Sequence, residues 1–255
     1  MFPNVAGIGY QTNLQTANYK AVQAVLDRRF AGGWGGRVGY TWAHHVLTQP
    51  EGQYPLTSIP AGPNPFPAML NNVKLEKLDE PQDTRHRLTL GLNYELGVAR
   101  GSTGLVGILA KGWQLNGVAV IQSGRPFTVT NNSARGNTGS ADRPNLVGNP
   151  TLPRNERSIT RWFNTAAFEP QALNTLGNAP ASIVRGPGLM TIDLSFFKDF
   201  VPRTGKLLQF RLEAFNLTNR ANFDTLGVAL GASNFGTIGS SGPARNVQLA
   251  LKLMF

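Results

Sequence analysis

The stretch "RHRLTLGLNYEL", Arg85 to Leu96, alternates without a break. Leu88, Leu90, Leu92, Tyr94 and Leu96 fall on one side of an extended chain; Arg87, Thr89, Gly91, Asn93 and Glu95 fall on the other. A helix would scatter that pattern around its axis, because its side chains repeat every 3.6 residues and not every two. The run is about twice the usual strand length of ~5–6 residues. Six other stretches repeat the pattern. In Asn18–Phe30, Val22, Ala24, Leu26 and Phe30 oppose Ala21, Gln23, Asp27 and Arg29. In Gly33–His45, Trp34, Val38, Tyr40 and Trp42 oppose Arg37, Gly39, Thr41 and Ala43. Gly112–Gly124, Met190–Phe200, Leu207–Asn216 and Arg245–Phe255 follow suit. The expectation is an all-β chain of about seven long antiparallel strands.

The connections sort by length. Strands one and two are expected to turn at Ala31-Gly32, strands five and six across Val201–Lys206, and strands three and four through Gly97–Lys111. The remaining three, 46–84, 125–189 and 217–244, are long and rich in Gly, Pro, Asn and Ser. Structureless loops beyond ~12–15 residues are uncommon in compact soluble domains. Transmembrane β-barrels carry them routinely, with short periplasmic turns and long extracellular loops. Counting back from a periplasmic Phe255 puts every long loop outside. Trp34 and Trp113 then stand at the periplasmic rim, and Tyr40 and Trp42 near the outer one, where aromatic girdles belong. The chain ends on Val247, Leu249, Leu251, Leu253 and Phe255, an apolar column closed by an aromatic, which resembles the signal read by the barrel-assembly machinery.

The composition agrees. Charged residues make up 15% of 255, against a usual ~25%, a shortage expected of a chain with few solvated helix surfaces. Gly 29 and Pro 17 suit many turns. The net charge of +10 comes from basic residues placed singly or in short groups such as Arg85-His86-Arg87. Nucleic acid is therefore not expected as a partner, since its footprint is a basic patch. The charge is compatible with anionic solutes or lipopolysaccharide phosphates. With no cysteine, disulfides, thiolate metal sites and Cys nucleophiles are excluded. No run approaches the ~18 apolar residues of a membrane helix. Residues 1–16 do not read as a signal peptide.

One stretch carries a resemblance. "FRLEAFNLTNRANF" is similar to a run near the barrel end of TonB-dependent receptors, in particular the Oar-like outer-membrane transporters, through Arg211, Glu213, Phe215, Asn216, Asn219, Asn222 and Phe223. "GWQLNGVAVIQSGRPFTV", "RGPGLMTIDLSFFKDF" and "ANYKAVQAVLDRRFAGGW" resemble the same family. The resemblance implies a barrel of about 22 strands plugged by an N-terminal domain. On that footing, residues 1–255 are the C-terminal part of an outer-membrane barrel, with plug domain and signal peptide absent. The implied location is the bacterial outer membrane. The implied function is active solute uptake, with TonB acting through the missing plug and the remaining strands completing the wall. Outer-membrane lipid and the barrel-assembly machinery are the other implied partners. The alternatives are a small autonomous barrel or adhesin, with Asn4–Gln11 supplying an eighth strand, and a soluble carbohydrate-binding module.

No enzymatic chemistry is expected, and no cofactor. His44 and His45 point to opposite faces of a strand and cannot chelate together. No G-x-S-x-G elbow or Walker glycine loop occurs. Arg37, Arg87 and Glu95 are candidate lumen-facing residues, alongside Asp27, Arg211 and Glu213, and cross-strand ion pairs are the plainer reading of such charges. The candidate ligand loop is 125–189, through Arg157, Arg161, Trp162, Phe163 and Phe168. Those aromatics either stack on a ligand beside the arginines or pack the loop onto itself.

Overall fold

In the computed structural model, the structure describes residues 16–48, 77–98, 101–133, 135–136, 142–203 and 206–255, with backbone alone at 201–203. The expected Asn4–Gln11 strand lies outside the described residues. Seven long strands are present: β1 Thr16–Ala31, β2 Trp34–Thr48, β3 His86–Glu95, β4 Trp113–Gln122, β5 Leu189–Arg203, β6 Lys206–Phe215 and β7 Asn246–Met254. Each pairs antiparallel with the next in chain order, so the sheet is a simple meander. A three-residue strand, Lys77–Asp79, pairs with the outer end of β2. Among the described residues, the outer edges of β1 and β7 pair with nothing.

The register carries the alternation from strand to strand. Leu26, Val38, Leu90, Ala119 and Ile192 are successive cross-strand partners. So are Trp34, Tyr94, Leu115, Phe196, Leu212 and Leu249. A one-residue slip anywhere would turn the following strands inside out. The apolar columns of all seven strands therefore share one face, and this face is open: Leu26, Tyr94, Leu249 and Leu251 are all exposed.

Three expectations need correction. The first turn is Gly32-Gly33, with φ of 64° and 86°, the two positive angles of a type I′ hairpin turn. A register shift between Arg28 and Ala31 accommodates the extra residue. The β3–β4 connection holds a short helix, α1 Gly104–Ala110. The third correction is the largest. Loops 125–189 and 217–244 are not structureless but fold together into one outer cap. Thr130–Asn131 pairs parallel with Ala229–Leu230, tying the two loops together. Pro126–Phe127 pairs with Val184–Arg185, and Phe223–Leu226 with Ile238–Ser241. Among the described residues, the larger hydrophobic core lies in this cap: Val129, Phe163, Ala167, Phe168, Ala179, Val184 and Leu226 are buried together. Phe163, Phe168 and Phe235 meet edge to face, with centroids 5.3–6.2 Å apart.

Candidate functional site: the polar wall and the outer cap

The second face of the sheet is polar. Asp27, Arg37, Gly91, Val118 and Asp193 form one cross-strand row, and Asn93, Asn116, Ser195, Glu213 and Gln248 another. The candidate residues Arg37, Arg87 and Glu95 are exposed on this wall. Among the described residues, ladders of cross-strand ion pairs do not form there. Asp27 and Arg37 stand opposite each other without closing into an ion pair. Glu213 instead accepts a hydrogen bond from Gln248 Nε2 at 2.6 Å. Arg211 lies over the Phe197 ring at 5.9 Å, and its buried Nε has no hydrogen-bond partner among the described residues. The wall therefore offers cationic and anionic groups to whatever fills the space beside it.

The cap joins the wall through a narrow neck. A Cβ on Gly124 would stand 1.9 Å from the Gly186 carbonyl oxygen, so the chain can enter and leave the cap this closely only as glycine. Beside the neck sits a charge cluster that the sequence reading did not assemble. Arg85 bonds Asp79 at 2.8 Å and Asp83 at 3.4 Å. Arg185 bonds Asp83 at 3.0 Å and Asp79 closer still. His44 Nε2 meets Asp79 at 2.9 Å, and the His45 backbone N–H donates to Asp83 at 2.9 Å. The Asp83 side chain is 1% exposed, so its charge depends on these partners. Burial works to raise the Asp79 pKa; the His44 hydrogen bond and the Arg185 and Arg85 guanidiniums outweigh it and hold the carboxyl below its ordinary 3.8. Arg185 also donates to the Asp83 and Gly124 carbonyls, and its own carbonyl accepts from Trp162 Nε1 at 2.9 Å. One arginine thus ties cap, neck and β2–β3 segment together.

The asparagine-rich motif builds a second tie. Asn216 and Asn219 adopt φ of 48° and 51°, a region that asparagine tolerates better than other residues with a Cβ. Asn216 is 6% exposed. Its Nδ2 donates to the Arg220 and Pro243 carbonyls at 2.9 and 3.1 Å, and its Oδ1 accepts from the Arg220 N–H at 3.2 Å. Asn219 Oδ1 accepts from the Arg245 N–H, and Asn222 Oδ1 from the Met190 N–H. The motif staples the outer ends of β5, β6 and β7 to the loop between β6 and β7. Glu213 and Phe215 belong to β6; Phe223 opens the small Phe223–Leu226 strand.

The candidate ligand-loop residues divide. Phe163 and Phe168 are buried in the cap core, where they pack the loop onto itself. Trp162 packs against the same core, with Arg157 over its ring at 5.7 Å. Arg161 is exposed on the cap surface.

These features define a wall of an outer-membrane barrel: an unbroken apolar face, a polar face behind it, short inner turns and a large outer cap. From Trp34 to Trp42 the apolar belt runs eight steps along β2; at ~3.4 Å each and a tilt of ~40° this spans roughly 20 Å, close to the ~25 Å apolar band of such barrels. The family model for the outer membrane beta barrel domain matches residues 1–248. The chain belongs to that family, and its place is the bacterial outer membrane. No curated protein and no solved structure matches it. In barrels of this kind the apolar face meets lipid and the polar face the lumen; the column Val247, Leu249, Leu251, Leu253 and Phe255 belongs to the apolar face.

Proposed function

We propose that the chain is the C-terminal wall of a TonB-dependent uptake barrel. The observation that supports this most is that, among the described residues, the outer edges of β1 and β7 pair with nothing while they flank a polar face seven strands wide. Hydrocarbon does not tolerate bare strand edges, so further strands complete the wall and widen the lumen beyond what seven strands enclose. A barrel as large as the ~22-stranded transporters carries a plug in its lumen, and moving that plug takes energy. The missing strands and plug are the partners in this reading, TonB acts through the plug, and the barrel-assembly machinery reads the terminal column. The protein does no catalysis and takes no cofactor. Arg37, Arg87 and Glu95 line the solute path, and Arg161 on the cap meets solute first.

A second reading, an autonomous small barrel or adhesin, draws support from the cap, which has its own hydrophobic core. Two measurements separate them. Refolded alone in detergent, the chain should give no monomeric heat-modifiable band. In cells carrying the whole barrel, solute uptake should stop when the inner-membrane proton gradient is collapsed. A compact heat-modifiable monomer from this chain alone, with no gradient-dependent uptake, would overturn the transporter reading in favour of the adhesin.

A further inference from the structure

Helix α1 has an unusual surface for a connection at the periplasmic rim. Its large side chains are all apolar and all turned outward: Leu105 is 77% exposed, Val106 63%, Ile108 59% and Leu109 61%. Only Gly107 is buried, packed on the Ser102 carbonyl. The helix itself holds no charged residue. In water such a face is a liability.

Two contacts fix which side of the wall the helix lies on. Trp113 Nε1 donates to the Leu109 carbonyl at 2.9 Å. Lys198 Nζ donates to the Lys111 carbonyl, just past the helix, at 2.5 Å. Trp113 and Lys198 are direct cross-strand partners on β4 and β5. Their row continues through Phe210 to Leu251, which is the lipid-facing column. Trp113 also meets Phe210 edge to face at 5.9 Å. The ammonium of Lys198 sits between the Trp113 and Phe200 rings, at 5.6 and 4.8 Å. It complements the partial negative charge at the C-terminal end of the helix. Both clamps reach the helix from the lipid side of the wall, not from the lumen.

We propose that α1 is a lipid anchor lying in the periplasmic leaflet of the outer membrane. Leu105, Val106, Ile108 and Leu109 enter the region between headgroups and acyl chains, extending the apolar face of the barrel sideways along its inner rim. A helix lying in the interface buries its apolar face to a depth of ~5–10 Å. The occupant is phospholipid because the helix is continuous with a surface already in contact with lipid. This inference rests on the outer-membrane assignment alone and stands whether or not the barrel transports anything.

Residues 1–255 contain no cysteine, and any cysteine in the rest of the barrel is replaced by serine, so that each single cysteine reports cleanly. The whole barrel is reconstituted in phosphatidylethanolamine/phosphatidylglycerol vesicles with Leu105→Cys or Leu109→Cys carrying an environment-sensitive fluorophore. Leu251→Cys serves as the lipid-facing control and Arg37→Cys as the lumen control. Lipid nitroxides placed near the headgroup end of the acyl chain should quench both helix labels several-fold more than aqueous iodide does, as at Leu251. A Lys198→Gln variant should shift the helix labels toward iodide while leaving Leu251 unchanged. Iodide quenching equal to that at Arg37 would overturn the proposal. So would protection from both quenchers in native outer-membrane vesicles that disappears on reconstitution, since a protein would then cover the helix. Heat-modifiability of each labelled variant shows that it has folded.

Discussion

Removing the Asn216 side chain tests whether the motif acts as a staple. Asn216→Ala deletes three hydrogen bonds to backbone groups of Arg220 and Pro243. At about 1 kcal/mol each these contribute roughly 3 kcal/mol. The new residue must also hold a φ of 48°, which costs a Cβ-bearing residue about 1–2 kcal/mol unless its side chain compensates locally. Together the loss is about 4 kcal/mol, close to a thousandfold in a local opening equilibrium. Asn216→Gly loses the same hydrogen bonds but adopts the backbone angle freely, so it should fall about tenfold short of the alanine variant in opening. Hydrogen exchange on the whole barrel in detergent, followed over 217–245, reads both effects, with the β3–β4 ladder as internal reference. Exchange within about tenfold of the parent in both variants would refute the staple. Equal acceleration by Ala and Gly would refute the contribution from the left-handed backbone.

The neck cluster gives a pH dependence. The Asp79 carboxyl has its pKa depressed in the folded state, so its contribution is complete at neutral pH and fades as pH falls below the ordinary carboxylate range of about 3.9. Exchange over 182–186 should therefore accelerate on acidification beyond the intrinsic rate, and Asp79→Asn should abolish that extra step. Arg185→Met leaves the nearly inaccessible Asp83 with only Arg85 and the His45 N–H; a loss of about 2–3 kcal/mol is expected at a site this exposed on the arginine side, read as faster proteolysis at the neck, and unchanged cleavage would count against the latch. Phe163→Ala empties a position that is 2% exposed and touches two other rings, so the cap should lose about 3–5 kcal/mol while the sheet hydrogen bonds keep their protection.

The strands were legible because their signal is local. Alternation over ten or more residues, as in β3 and β4, leaves one workable conformation, and every strand stands within a few residues of its expected place. The Asn run was legible as a motif only through its resemblance to a known barrel-end run, and that resemblance did not say that three side chains pin three strand ends. Helix α1 carries a readable signal: Leu105, Val106, Ile108 and Leu109 fall at helical spacing inside what reads as a connector.

The neck cluster had no such signal. Arg185 meets Asp79 across 106 positions and Asp83 across 102, and nothing in either neighbourhood marks the other. The cap core was hidden for the same reason. Phe163 and Phe168 beside arginines read equally as ligand platform or as packing, and only the fold of two distant loops onto each other decides for packing. The sequence by itself determined the period-two faces, the seven long strands and the apolar column at the C-terminus, because alternation is a property of neighbours along the chain. The tertiary structure alone decided what the loops do, because burial and ion pairing depend on which distant segments share the same space.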